Sequence, residues 1–420
     1  MVDRSLKQNF GLAIYSMNIS FDNTKNAFAY KTTKELKKAK FIFATMGTPW
    51  LVKAGLRLTP LALKMGLPVK GLIRNTIFDQ FVGGETLQTT SAVVENLAKY
   101  NVQVILDYGV EGKEGEENFD NATEEFIKVI RYAATQKNIP FMSVKLTGFS
   151  RFELLEKIDK ASAYEDIVRG NIPFEKLDAD EEAEWERIVV RLRKICRAAT
   201  ESNTGVLIDA EESWIQDSVD AITTQMMKEF NTEKAVVYNT AQLYRNDRLQ
   251  FIKDACKYAN ENNFISALKI VRGAYMEKEN KRAEEMNYPT PINKTKQASD
   301  DEYNAALEFC INPENHISVI IGSHNEYSNL LGVQLMEKYG LPHNDKRVHF
   351  SQLYGMSDNI TFNLAEAGCF VSKYLPFGPI NDVIPYLMRR AQENSSVGGQ
   401  SGRELGLIKK ELKRRAEKKD

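Results

Sequence analysis

From about residue 100 onward, short apolar runs rich in Val and Ile alternate with longer stretches whose apolar residues recur at helical spacing. The runs are eight: 102–110, 141–146, 205–209, 235–242, 267–275, 317–324, 348–354 and 369–375. Helical stretches such as 119–136, 215–230, 248–262, 300–310 and 327–339 lie between them. A strand that is apolar at nearly every position must be covered on both faces, and a helix after each strand supplies that cover. Eight repeats of one unit predict a closed (β/α)8 barrel, which leaves no strand edge unpaired. A doubly wound open sheet is the alternative, but the glycine fingerprint GxGxxG of its dinucleotide sites is absent.

The remaining segments read as additions to that barrel, taken as residues 96–400. Residues 1–95 are expected to form an N-terminal helical arm or cap. Residues 149–203, with a charged helix at 180–199, read as a helical insertion between the second and third strands. Residues 401–420 form a basic C-terminal tail. The formal net charge of −1 argues against nucleic acid as a partner, because the one basic concentration is at 409–419. Cys196, Cys256, Cys310 and Cys369 are far apart and form no CxxC pair, so they read as buried thiols in a reducing compartment. The start of the chain lacks an export signal, and the apolar stretch 41–52 is too short to span a bilayer. The expectation is a cytoplasmic protein. The apolar stretch 41–67 is expected to lie against the barrel, with a peripheral contact at the inner membrane as the alternative.

In such a barrel the chemistry sits at the C-terminal strand ends. Polar residues there are, in order, Asp107 and Glu111, Lys145, Asp209 with Glu211 and Glu212, Gln242, Lys269 and Arg272, Ser323 with His324 and Asn325, Gln352, and Tyr374. Any one of them has an ordinary structural use. Together they describe a cation-rich mouth, to which a helix after the eighth strand adds Arg389 and Arg390. Adjacent guanidiniums repel unless an anion needs both, and each can grip a carboxylate with two parallel hydrogen bonds. Tyr386 is four residues before Arg390 and shares its helix face; Glu393 follows on the same helix. So many cations suit two ligands. A small carboxylate would take Lys145, Arg389 and Arg390, and a larger cofactor with phosphates would take Lys269, Arg272, Gln242 and His324. No nucleophile with a paired base is legible, and His316, His324, His343 and His349 lack metal-ligand spacing, so no metal is expected.

The motifs at these positions resemble those of the flavin-dependent proline dehydrogenase family. They are Ser143-Val-Lys145-Leu, Ile208-Asp209-Ala-Glu-Glu212, Gln242-Leu-Tyr244, Val271-Arg272-Gly273-Ala274-Tyr275, Ser323-His324-Asn325, Tyr374-Leu-Pro and Tyr386-Leu-Met-Arg389-Arg390-Ala-Gln-Glu393-Asn394. The resemblance implies a distorted (β/α)8 barrel holding FAD. It assigns Asp209, Lys269 and Tyr374 to catalysis. Lys145, Arg389 and Arg390 would hold the proline carboxylate, with Tyr275, Leu353, Tyr374 and Tyr386 around the ring. Ile208, Gln242, Lys269, Arg272, Gly273, Ala274, Thr295, Lys296, Ser323, His324 and Glu393 would line the FAD site. The implied reaction moves a hydride from C5 of L-proline to the flavin and yields Δ1-pyrroline-5-carboxylate, the first step of proline catabolism to glutamate. Electrons would pass to membrane quinone, and a separate pyrroline-5-carboxylate dehydrogenase would take the product. Compared with many bacterial relatives, Lys269 and Arg272 exchange Arg and Lys, and Met276 replaces an aromatic residue.

Three rivals stand beside this reading. A hydroxyproline dehydrogenase differs by a few pocket residues, and the bulk of Tyr374 favours the unsubstituted ring. A Schiff-base lyase on the same barrel would need Lys145 or Lys269 with a depressed pKa. An adaptor for nucleic acid or membrane would act through 409–419.

Overall fold

The computed structural model describes residues 19–65, 70–109, 114–396 and 400–418. Eight parallel strands close in chain order into a barrel: β1 (Gln103–Tyr108), β2 (Phe141–Val144), β3 (Gly205–Ile208), β4 (Val237–Gln242), β5 (Ala267–Val271), β6 (Ser318–Gly322), β7 (Val348–Leu353) and β8 (Val371–Phe377). Closure runs from β8 back to β1, with Gln103 opposite Ser372 and Tyr108 opposite Phe377. All eight runs are strands. The fifth run is shorter than its apolar pattern suggests, because Gly273 turns the chain at φ +123.

Side chains alternate along a strand, so every second residue points into the barrel. At the N-terminal end this alternation brings Phe141 edge-on to Tyr238 and His349, with ring centroids 5.5 and 5.0 Å away. A Cβ on Gly205 would lie 2.5 Å from the Phe141 ring, so glycine makes room for this plug. Burial pushes the His349 pKa down to about 3, which leaves a neutral ring whose Nε2 lies 2.6 Å from Ser372 Oγ. The N-terminal end of the barrel is filled. Ligands therefore have the C-terminal mouth.

The helix Ala179–Glu201 corrects the expected insertion. It buries Trp185, Ile188, Leu192 and Ile195 as one stripe and packs on the Glu116–Ala134 helix and β3. That is the ordinary cover between β2 and β3. The extra structure is the preceding part, with helices Phe152–Ala161 and Tyr164–Arg169.

Among the described residues the arm is helical, with Thr33–Met46 opened by a capping box of Thr32 and Glu35. It is strapped to the barrel where Gly83 N–H donates to Pro376 O at 2.8 Å and Gly378 N–H to Gly84 O at 3.0 Å. A Cβ on Gly83 would lie 2.7 Å from Leu375. The apolar stretch 41–67 is divided, because Ile42, Phe43, Met46 and Val52 are buried while Phe41, Trp50, Leu58 and Met65 are exposed.

The expected basic tail is also corrected. Residues Gln400–Glu417 form a helix that packs on Thr33–Met46, burying Leu407 and Ile408. Arg414 and Arg415 turn inward to Glu411, and Arg415 also donates to Phe28 O at 2.8 Å. Lysines dominate the sequence there, but an apolar stripe beneath them decides the packing.

Candidate active site

Asp209 stands just past β3 at the centre of the mouth. Its Oδ1 accepts from Ser143 Oγ at 2.5 Å and from Lys269 Nζ, and its Oδ2 accepts from Tyr374 OH at 2.7 Å and Lys145 Nζ at 3.4 Å. Burial alone would raise its pKa; Lys269, then Lys145, hold it well below the usual carboxylate range. Lys145 also lies 3.5 Å from Asp107. Burial works against its charge, but Asp107 and Asp209 outweigh that and raise its pKa. The Lys269 ammonium lies 5.3 Å from the centre of the Tyr374 ring. Burial, with Asp107 and Asp209 nearby, keeps the Tyr374 phenol protonated.

Lys145 and Lys269 against Asp107 and Asp209 leave this floor with balanced charge. On the helix Ile380–Ser396 the Arg390 guanidinium stacks 5.1 Å from the Tyr386 ring, as their four-residue spacing allows. Burial and Glu211 push Tyr275 up to about 12, while Arg389 and Lys145 oppose them, so Arg389 stands within electrostatic reach of the β5 end. Arg390 acts similarly on His324 beyond β6. The two arginines thus bear on neighbouring parts of the rim. Glu211 takes Thr147 Oγ1 at 2.9 and 2.8 Å, and burial pushes its pKa up to about 7.

A second group forms around Asp300. Arg272 donates to Asp300 at 2.7 Å, Ser323 Oγ at 3.0 Å and Ser328 Oγ at 2.9 Å, and stacks 4.2 Å from the Tyr303 ring. Lys296 reaches Asp300 at 2.6 Å, and Thr295 caps the Lys296–Ile311 helix by accepting from Ala298 N–H. Gly273 and Ala274 are exposed. A Cβ on Gly273 would lie 2.4 Å from the Tyr244 ring, so glycine lets this aromatic pack against the turn. Gln242 is buried at the end of β4, and its Oε1 has no hydrogen-bond partner among the described residues. Ile208 is fully buried, and its carbonyl accepts from Thr240 Oγ1 at 2.7 Å. Burial, then Lys373, Arg390 and Arg272, push His324 down to about 3; this neutral ring places Nδ1 2.8 Å from Ser357 Oγ and receives Leu353 N–H at 3.5 Å. Glu111 and the Glu393 side chain lie outside the described residues.

Sequence reasoning missed a third group behind β8. Lys373 is fully buried and forms an ion pair with Asp358 at 2.9 Å, while Asp358 also takes Lys31 at 2.9 Å and Tyr30 OH at 2.8 Å. Burial would raise the Asp358 pKa, but Lys31 and Lys373 bring it to about 2. A lysine inside the apolar run of β8 was the available signal.

The sequence profile described as "Proline dehydrogenase" matches residues 90–403. Among curated proteins, "Proline dehydrogenase 1, mitochondrial" of Dictyostelium discoideum is 31% identical over 426 residues, covering 94% of this chain and 74% of that protein. "Hydroxyproline dehydrogenase" of Xenopus laevis is 29% identical, over 92% of this chain and 88% of that one. Among solved structures, proline utilization A from Bdellovibrio bacteriovorus, inactivated by N-propargylglycine, matches with a TM-score of 0.69 at 19% identity. That likeness covers 90% of this chain and 42% of the other, so the chain spans under half of that protein, and it speaks to the fold alone. The family match runs through every barrel strand and the arginine helix, and the chain belongs to the proline dehydrogenase family.

Proposed function

We propose that this chain oxidises L-proline to Δ1-pyrroline-5-carboxylate with FAD as hydride acceptor, the first step of proline catabolism to glutamate. The observation that carries the reading is the arginine helix beside a charge-balanced floor of Asp107, Lys145, Asp209 and Lys269. Arg389 and Arg390 would grip the carboxylate with paired hydrogen bonds, with Lys145 beneath. Tyr275, Leu353, Tyr374 and Tyr386 supply aromatic and aliphatic walls for a pyrrolidine ring. Asp209 orients Lys145, Lys269 and the Tyr374 phenol, and this preorganisation would align C5 for transfer as the amine loses its proton.

The residues present fit FAD. The buried Gln242 Oε1 needs a donor, as the N–H groups of a flavin ring would provide. Lys269, Arg272, Lys296, Ser323 and His324 offer charge and polar contacts, the exposed backbone at Gly273 and Ala274 permits close approach, and Thr295 and Glu393 complete the proposed set. FAD, when bound, supplies the two-electron chemistry that these side chains lack.

Membrane quinone is the proposed electron acceptor, and a separate pyrroline-5-carboxylate dehydrogenase the consumer of product. We place the protein in the cytoplasm with a peripheral contact at the inner membrane. Among the described residues no helix is long and apolar enough to cross a membrane. The exposed Phe41, Trp50, Leu58 and Met65 on the arm favour a peripheral contact.

Hydroxyproline is the second reading, and a relative bears that name. Against it, Tyr374 is anchored to Asp209 at 2.7 Å and cannot swing aside cheaply for a ring hydroxyl. A Schiff-base role for Lys145 needs a depressed pKa, and Asp107 and Asp209 act the other way. The adaptor reading loses its free basic tail to the docked C-terminal helix.

The test is optical. Purified protein should show flavin absorbance that L-proline bleaches under anaerobic conditions. Folded, colourless protein that cannot be reconstituted with FAD refutes the reading.

A further inference from the structure

The turn after β7 is held from several distant parts of the chain. Gln80 of the arm donates to Gly355 O at 2.7 Å, and Lys373 of β8 donates to Met356 O at 2.5 Å. Ser357 N–H donates to the Glu404 carboxylate on the C-terminal helix, and Asp358 takes Lys31 and Tyr30. The turn is a strained one, since Ser357 sits at φ +51. A non-glycine residue persists in that conformation only where its surroundings hold it.

That strained residue faces the mouth. Ser357 Oγ lies 2.8 Å from His324 Nδ1, while the other ring nitrogen meets only the longer 3.5 Å contact from Leu353 N–H. The His324 ring is therefore oriented chiefly from Ser357. Ser357 is in turn fixed by Glu404, which is 4% exposed. Burial and the neighbouring Asp358 work against a Glu404 charge, with Lys373 and Lys31 opposing them. A buried carboxyl beside another carboxylate is a poor choice for packing alone. As an acceptor for one N–H it has a definite use.

We infer that Glu404 is a positioning residue for the cofactor side of the mouth: it secures the Ser357 turn and, through Ser357 Oγ, the His324 ring. The C-terminal helix thereby becomes part of the site without touching a ligand. The inference rests on the reading of His324 as a contact of FAD.

The experiment compares E404A, E404Q, S357A, H324A and the double variant E404A/H324A. Apoprotein is titrated with FAD, following flavin fluorescence and the bound-flavin spectrum. E404A should raise the FAD Kd by about tenfold or more and shift the spectrum, the scale of losing one buried hydrogen bond. E404Q, whose amide oxygen still accepts from Ser357 N–H, should stay within about twofold of wild type. E404A/H324A should bind no more weakly than H324A alone, since both act through one ring. Should E404A fail to fold, S357A carries the test: it keeps the backbone bond to Glu404 and should weaken FAD binding as H324A does. Wild-type affinity and spectrum in E404A, additive losses in the double variant, or wild-type affinity in S357A overturn the inference. Wild-type protein that is folded yet binds no FAD overturns the cofactor reading itself, and this inference with it.

Discussion

Replacing Asp209 with Asn keeps the shape of the side chain and removes the charge on which the floor of the mouth depends. Lys269 is 6% exposed and donates a hydrogen bond to that carboxylate, and breaking a buried pair on one side costs about 3–5 kcal/mol. Lys145 adds little, since it keeps Asp107 at 3.5 Å and its side chain is 31% exposed. The amide must also turn its NH2 toward one pair of donors, Ser143 with Lys269 or Lys145 with Tyr374. The second choice is the cheaper, because it keeps the amide oxygen on the buried Lys269, while the partly exposed Lys145 retains Asp107. That places the expected loss near the lower end, about 3 kcal/mol. In urea unfolding, with an m value of about 3 kcal/mol/M, the midpoint should fall by roughly 1 M. Removing the stranded ammonium as well, in D209N/K269M, should recover at least about 2 kcal/mol relative to additive singles. A D209N midpoint equal to wild type, or purely additive losses in the cycle, would show that Asp209 and Lys269 are not the coupled buried pair described.

Other outcomes test separate parts of the molecule. Arg390 is 8% exposed and stacked on Tyr386, so R390K exchanges a planar fork for a point charge and should raise the proline KM by about tenfold with less effect on kcat; an unchanged KM assigns the arginine to structure. G273A forces a Cβ to 2.4 Å from the Tyr244 ring at φ +123 and should cost about 2 kcal/mol or more in thermal unfolding, whereas an unchanged Tm refutes the contact. Glu211 and Glu404 have pKa values raised to about 7 in the fold, so the folded state holds more protons near neutrality than the unfolded chain does. Their stabilising contribution is complete below the unfolded value and is lost as pH rises through about 7. The contribution of these two carboxyls to Tm should therefore fall between about pH 4.5 and 7.5, and E404Q should flatten that part of the profile; an identical profile in E404Q would remove Glu404 from the account.

The arrangement of polar residues around the mouth was legible because it depends on local periodicity. Once eight strands are placed, Lys145, Asp209 and Gln242 fall at or just past strand ends, whereas Lys269 and Tyr374, expected there too, lie within β5 and β8. The sharing of Tyr386 and Arg390 on one helix face is equally local. The partners themselves were not legible. A motif cannot show that Asp107 and Asp209 balance Lys145 and Lys269, or that Tyr244 occupies the place a Gly273 side chain would fill.

The errors have the same origin. The stretch 401–420 carries so many lysines and arginines that composition describes a solvated tail, yet Leu407 and Ile408 anchor it as a helix on the arm. Helix Ala179–Glu201 was separated from the barrel because it is highly charged, although its stripe from Trp185 to Ile195 covers β3 as any crossover helix does. Lys373 passed unnoticed because Asp358, Lys31 and Glu404 surround it only after both ends of the chain have docked.

By itself, then, the sequence determined the barrel and the residues presented at its mouth, because strand alternation and helical spacing are properties of neighbours along the chain. The tertiary structure alone decided which charges meet: Lys145 and Lys269 face Asp107 and Asp209. It also decided how the chain ends brace the site: Tyr30 meets Asp358 across 328 positions and Thr24 meets Glu411 across 387. Pairing of that kind follows from packed surfaces and burial, which no local pattern encodes.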